Sequence, residues 1–213
     1  MIDIHSPIFY SIGQCGNKVG STVIQQLDMN SKNKNYYSKE TILIDSEPKV
    51  IKQLLSEKLW SETTHMFFDH GRGNNWAMSY AKYQSQKLKK EKIKVQEAKI
   101  GNKEFLLYNI KEFDVYAENN SLINNIMEFT RKKLEKRVSL PPFLVYFGLA
   151  GGTGSGLGSR LVEDLRDHFP MVDLWAHVVF PLYNGETPLQ NYNIGLSLSL
   201  LQENADCIFY NSN

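Results

Sequence analysis

Residues 150–160 read AGGTGSGLGSR, and this glycine-rich stretch decides the fold. It follows an apolar run typical of a buried strand, PPFLVYFGL (141–149), and a helical pattern begins at about Ser155. Glycines let the backbone approach a ligand closely, and a helix N-terminus offers free N–H groups that suit phosphate. Thr153 and Ser155 add hydroxyl donors. The stretch predicts a phosphate-binding loop; the alternative is a turn that only joins strand and helix.

The two common phosphate-binding motifs do not match this loop. A P-loop requires Lys and then Ser or Thr after its second glycine, but Leu157 and Gly158 occupy those positions after Gly156. A dinucleotide fingerprint, G-x-G-x-x-G, requires a third glycine where this chain has Leu157 or Ser159, depending on the starting glycine. The loop therefore belongs to another class.

The rest of the chain alternates between strand and helix patterns. Strands are predicted over residues 7–12, 41–45, 65–69, 143–149, 174–182 and 207–211, and helices over residues 14–28, 49–57, 118–137, 155–168 and 190–204. This alternation predicts an α/β fold, a three-layer doubly wound and mostly parallel sheet. Ligands of such sheets lie beyond the carboxyl ends of the strands.

Composition limits the function classes. The 213 residues suit one domain, spanning 1–213, and a net charge of +1 predicts no nucleic-acid or membrane partner. Two isolated cysteines fit a reducing compartment, and no apolar run reaches membrane-spanning length. Residues 82–112 are predicted to form a basic insertion, because 82–99 are lysine-rich with little apolar periodicity. This segment is either a solvated charged surface or a docking patch for an acidic partner.

Three further loops follow predicted strands: GQCGN (13–17), DSEPK (45–49) and HGRGNNW (70–76). All four loops should meet at one edge of the sheet. Together they resemble the tubulin superfamily, whose corresponding motifs are GQCGNQ, VDxEPxVI, GxGNNWA and GGGTGSG. Three features are more similar to delta-tubulin than to other members: Ala150 at the first signature position, ILIDSEPKVIKQLL (42–55) and QNYNIGLSLSLL (190–201).

The resemblance implies a tubulin-type, Rossmann-like GTPase domain that binds GTP or GDP with Mg²⁺. Carboxylates close to phosphate require a cation between them. Gln14 and Glu47 would lie near that Mg²⁺. We expect valine at Gly154 to abolish binding, because its branched Cβ would block both the phosphate and the required backbone angles. The nucleotide-binding residues implied are Gly13, Gln14, Cys15, Asn17, Asp45, Glu47, Gly73, Asn74, Gly151, Gly152, Thr153, Gly154, Ser155, Asn193 and Asn213.

By the same resemblance, the chain is a delta-tubulin-like component of microtubules, located in the cytoplasm and cytoskeleton at centrioles or basal bodies. Its partners would be other tubulins or centriole proteins. The sequence would end before the central helix of the family, leaving the domain incomplete at its C-terminus. Hydrolysis would need a second-domain carboxylate from a neighbouring subunit. The alternative is a degenerate interaction module that docks on tubulin or a ciliary scaffold without effective GTP turnover.

Overall fold

A computed structural model describes residues 6–32, 35–60, 63–68, 70–82, 94–100, 103–109, 115–181 and 188–212. The strands are β1 (Ile8–Ile12), β2 (Thr41–Asp45), β3 (Thr64–Phe67), β4 (Lys94–Ile100), β5 (Lys103–Asn109), β6 (Phe143–Gly148), β7 (Leu174–Phe180) and β8 (Cys207–Ser212). The helices are α1 (Gly13–Asn30), α2 (Tyr36–Lys39), α3 (Pro48–Leu55), α4 (Trp76–Tyr80), α5 (Val115–Leu134), α6 (Gly158–His168) and α7 (Gln190–Asn204). None of the helices in the described ranges has the length and hydropathy to cross a membrane.

Six strands form one parallel sheet in the order β3-β2-β1-β6-β7-β8. This order confirms the predicted doubly wound sheet. The chain reverses its direction of winding between β1 and β6, where Ile12 pairs with Phe147. Loops diverge on either side of such a switch point, so the crevice beyond these strand ends is the expected ligand site.

The central strands are apolar because helices cover both of their faces. Every residue of β1 and of β2 is buried, as expected for parallel strands enclosed on two sides. On one face, Ile126 of α5 and Leu161 of α6 belong to the larger core cluster. On the other face, Ile24 of α1 and Ile51 of α3 join the second cluster. These two layers of core fix the strand ends, and with them the loops of the crevice.

The glycine loop differs from the prediction in its helical geometry. The predicted helix over 155–168 is observed as α6 from Gly158, preceded by a wider π-helical turn at Thr153–Leu157. Gly156 in this turn packs so closely on α4 that an added Cβ would lie 2.3 Å from the Trp76 carbonyl oxygen. Turns of this kind recur at functional sites.

Two short helices and two strands were not predicted. Helices α2 and α4 have four and five residues, too short to show helical periodicity. Helix α4 did carry a signal, since Asn75 is a favoured capping residue and its Oδ1 accepts the Ala77 N–H at 2.9 Å. The antiparallel pair β4–β5 lies within the predicted insertion, residues 82–112. Whether that segment is an insertion stays a prediction.

Candidate functional site

A cleft of about 630 Å³ opens beyond the carboxyl ends of β1, β2 and β6. Its volume suits a ligand of small-molecule or cofactor size. All four predicted loops contribute to it, so the sequence-based expectation that they meet at one edge is confirmed. The predicted residues that line it are Gln14, Cys15, Asp45, Glu47, Gly73, Asn74, Gly151, Thr153 and Gly154.

The first and fourth loops meet through two glycines. Gly13 has a φ of 70°, and an added Cβ would lie 2.8 Å from the backbone nitrogen of Gly154. Only glycine meets both requirements, a left-handed backbone and a close approach. Gly13 is buried beneath the cleft and does not line it. Its contact brings the first turn of α1 beside the glycine loop.

Gly154 is also tightly enclosed on the side of the sheet. An added Cβ would lie 3.0 Å from the Gly148 carbonyl oxygen and 3.4 Å from that of Ile12. Valine at this position would therefore press on β6 and β1. Gly154→Val would lose binding through this distortion of the strands, whether or not the valine also blocks a phosphate. The variant therefore does not test direct blocking of a phosphate.

Gly151 and Gly73 have the opposite surroundings. An added Cβ at either position would meet no heavy atom within 4 Å, yet both residues line the cleft. Gly73 has a φ of 55°, which explains its glycine independently of space. Gly151 has neither a positive φ nor a close neighbour. The protein therefore gives no packing reason for a bare backbone at Gly151, and the open space in front of it belongs to the cleft.

Ser155 and Gly152 support the fourth loop on the side that faces away from the cleft. The Ser155 hydroxyl donates hydrogen bonds to the carbonyl oxygens of Gly151 and, at 3.3 Å, Gly152. An added Cβ on Gly152 would lie 2.6 Å from the Asn75 backbone nitrogen, so the third loop packs directly against it. Neither residue lines the cleft. Their geometry supports the loop rather than presenting a group to a ligand.

Asn193 joins the third and fourth loops. Its Nδ2 donates to the carbonyl oxygens of Asn74 at 2.9 Å and Ala150 at 2.8 Å, and its Oδ1 accepts the Trp76 N–H at 3.0 Å. The residue is buried and does not line the cleft. Nucleotide contact by Asn193 therefore stays a prediction, whereas its part in loop assembly is evident from the hydrogen bonds. Asn213, which is also predicted to bind nucleotide, lies outside the described residues.

Asp45 anchors the second loop at the base of the cleft. Its Oδ1 accepts the N–H groups of Ser46 at 2.8 Å and Glu47 at 3.3 Å. Asn17 lies behind it and donates to the Ile44 carbonyl oxygen at 2.8 Å and to Asp45 Oδ2 at 3.5 Å. Burial raises the pKa of Asp45 to about 6, despite the hydrogen bonds that lower it. A nearby cation would favour the ionised carboxylate.

The second loop also touches both of its neighbours. An added Cβ on Gly71 would lie 2.4 Å from Glu47 Oε1, so the Glu47 carboxylate lies against the third loop. The Ser46 hydroxyl lies 2.5 Å from the Thr153 hydroxyl of the fourth loop. Together with the Gly13–Gly154 and Asn193 contacts, these link the four loops around the cleft.

Comparison with known proteins identifies this arrangement. A family model described as the Tubulin/FtsZ family, GTPase domain, matches residues 8–109 and 113–213, which include all four loops. The chain belongs to the tubulin/FtsZ family. The resemblance inferred from the motifs and the predicted tubulin-type fold are therefore confirmed.

Curated relatives place the chain among tubulins at low identity. The tubulin delta chains of Canis lupus familiaris and Homo sapiens are each 27% identical over 98% of this chain and 45% of the relative. The tubulin beta-1 chain of Hypocrea rufa is 27% identical over 92% of this chain and 43% of the relative. The chain thus spans less than half the length of these relatives. Its similarity to delta chains is confirmed.

Several residues of this tubulin-family cleft were not assigned from the sequence. They are Lys18, Val19, Ser46, Lys49, Val50, Arg72 and Gly148. Lys18 follows Gln14 by four residues on α1, so helical spacing placed it on the same face and could have identified it. Ser46 and Lys49 lie within the DSEPK stretch (45–49), between and after the two carboxylates that were predicted to bind.

Arg72 is the one residue of this set that is both charged and buried. Its side chain is 3% exposed, it donates to the His70 carbonyl oxygen and to Asn119 Oδ1 at 3.1 Å each, and it lies over the Phe68 ring. Asn119 is itself fixed by donating to the Met78 and Ser79 carbonyl oxygens. Arg72 therefore fastens the third loop to α5 at the rim of the tubulin-family cleft.

The residues present fit a phosphate-bound Mg²⁺. Asp45, Glu47, Ser46, Thr153 and Gln14 offer oxygen atoms around one cleft, the ligand type that Mg²⁺ prefers. No group of three or more His, Cys, Asp or Glu that could hold a metal ion occurs among the described residues. Mg²⁺ in nucleotide sites takes one or two carboxylates and completes its shell with phosphate and water. The pair Asp45 and Glu47 meets that requirement.

Proposed function

We propose that this tubulin-family domain binds GTP or GDP in the cleft, with the phosphates against the glycine loop. The observation that carries the proposal is the open space at Gly151. A glycine with no positive φ and no neighbour within 4 Å of its Cβ position has no role in packing. A ligand whose atoms approach the backbone at Gly151 would explain why this position has no side chain.

Helix geometry supports the same assignment. Helix α1 begins at Gly13, and the π-helical turn begins at Thr153, so two helical N-termini converge on the cleft. Neither has a side-chain cap at its start. Their first N–H groups lack intrahelical partners, and their partial positive charge favours anions. Phosphate groups would satisfy these donors.

Mg²⁺ would supply the positive charge that lets a phosphate approach the carboxylates of Asp45 and Glu47. Asp45 would hold its orientation through the Ser46 and Glu47 N–H groups. The raised pKa of Asp45 is consistent with a carboxylate whose counter-charge arrives with the ligand. Glu47, which is exposed on the cleft, would reach the water shell of the metal.

In the cell, we propose a delta-tubulin-like role in the cytoskeleton, at centrioles or basal bodies, with other tubulins as partners. The support is family membership and the similarity to tubulin delta chains. The alternative is an interaction module that docks on tubulin without effective nucleotide turnover. Absence of nucleotide binding in the folded protein would favour that alternative.

The test is titration of the purified protein with a fluorescent GTP analogue in the presence of Mg²⁺. Gly151→Val should reduce affinity at least tenfold while the circular dichroism spectrum and unfolding midpoint stay those of the wild type. The matched control is Gly195→Val on α7, where an added Cβ likewise meets nothing within 4 Å but which does not line the cleft. Wild-type affinity no tighter than millimolar, or equal binding by both variants, contradicts the proposal.

A further inference from the structure

The hydroxyl groups of Ser46 and Thr153 form a hydrogen bond across two loops of the cleft. Their oxygens lie 2.5 Å apart, within the range for O–H···O bonds. Ser46 stands directly after β2, and its own N–H is held by Asp45 Oδ1 at 2.8 Å. Its backbone is therefore fixed, and both residues line the cleft.

Either hydroxyl of this pair could donate the hydrogen bond, and the burial of the two residues favours one direction. Each hydroxyl has one proton to donate, and the pair uses only one of the two. Ser46 is 2% exposed, and among the described residues Thr153 is the hydrogen-bond partner of its hydroxyl. Thr153 is half-buried and open to the cleft. When Ser46 donates to Thr153, both needs are met, and the remaining proton belongs to Thr153.

We propose that Ser46 is a positioning residue that directs the Thr153 hydroxyl proton toward an anionic oxygen in the cleft. The proposal rests on the proposed nucleotide function and adds a specific residue to it. With Ser46 donating, the Thr153 oxygen is an acceptor on its buried side and a donor on its open side. Such a chain of hydrogen bonds strengthens each member, and a phosphate oxygen would be the final acceptor.

The test is a double-mutant cycle on Ser46→Ala and Thr153→Val, with affinities for GTP, GDP and GMP measured in Mg²⁺. Ser46→Ala should weaken binding about five- to tenfold, in line with one hydrogen bond, for each nucleotide whose phosphate Thr153 contacts. In the Thr153→Val background, the same change should have no further effect. The shortest nucleotide that shows the loss identifies which phosphate Thr153 contacts.

A purely structural role for Ser46 predicts a different pattern. It would lower the unfolding midpoint and weaken all three nucleotides equally, with or without Thr153. That result, or unchanged affinity in Ser46→Ala, overturns the inference about Ser46. The proposed function still stands in that case, provided that the wild-type protein binds nucleotide. Failure of the wild-type protein to bind any nucleotide overturns both. If Ser46→Ala does not fold, Ser46→Cys retains the shape with a weaker donor and should show a loss in the same direction.

Discussion

The side-chain amide of Asn193 donates a hydrogen bond of 2.9 Å to the carbonyl oxygen of Asn74. The same nitrogen donates to the Ala150 carbonyl oxygen at 2.8 Å. One residue of α7 thus joins two loops that are separated by more than seventy positions in the sequence. The shape of the cleft depends on this amide, because both loops line the cleft.

Asn193→Asp should therefore destabilise the protein and weaken nucleotide binding together. The change removes the donors and leaves carbonyl oxygens facing a carboxylate, which costs about 2–3 kcal/mol. Urea unfolding and nucleotide titration measure the two effects. The control is Asn191→Asp, two residues earlier and exposed, which should change the free energy of unfolding by less than about 0.5 kcal/mol. Equal stability of the two variants would contradict the role of Asn193.

Two glycines of the same loop should respond differently to alanine. At Gly156 an added Cβ would lie 2.3 Å from the Trp76 carbonyl oxygen and 2.6 Å from Ser79 Cβ. Gly156→Ala should lower the free energy of unfolding by about 1–3 kcal/mol through overpacking. Gly151→Ala, with nothing near its Cβ position, should leave stability within about 0.5 kcal/mol of the wild type. Thermal unfolding without nucleotide measures both, and a stable Gly156→Ala would refute the close contact with α4.

Asp45 should make stability depend on pH. Its folded pKa of about 6 lies above its ordinary value near 4. A raised carboxyl pKa contributes stability that is fully present below about pH 4 and is lost as pH rises through about 6. The free energy of unfolding of Asp45→Asn, relative to that of the wild type, should therefore rise by roughly 2–3 kcal/mol between pH 4 and pH 7.5. Urea unfolding without Mg²⁺ or nucleotide at both pH values measures the change.

The companion variant is Glu47→Gln, which removes the neighbouring exposed carboxylate. The charge of Glu47 is one of the causes that raise the pKa of Asp45, so this variant should gain stability relative to the wild type in the same direction, but by less than Asp45→Asn. A pH-independent difference for Asp45→Asn would show that burial does not raise the pKa of this group.

Cys15 should react slowly with alkylating reagents, and nucleotide should slow it further. Burial raises the pKa of the Cys15 thiol, and the thiolate is the reactive form. The thiol lines the cleft, against Gly148. In a Cys207→Ser variant, the rate of modification by N-ethylmaleimide should rise about tenfold per pH unit between pH 7 and 9. Saturating GTP should protect Cys15, and unchanged modification would argue that the ligand does not occupy this part of the cleft.

Much of the fold followed from local pattern. The continuous apolar runs of β1 and β2 and the glycine loop after β6 are properties of short segments, and each segment formed the predicted element. Helix α2 and the π-helical turn before α6 were missed. The former is too short for periodicity, and the latter depends on contact between Gly156 and α4, which no local pattern encodes.

By itself, the sequence determined the class of sheet, the four loop motifs and the family, because strand burial and glycine requirements are written into consecutive residues. Only the tertiary structure decided which glycines serve packing and which face open space. Gly154 and Gly156 are adjacent to backbone atoms of distant segments, whereas Gly151 is not. It also decided that Asn193 holds loops together and that Ser46 meets Thr153. These contacts join residues far apart in the chain, and their distances exist only once the sheet has brought its strand ends to one edge.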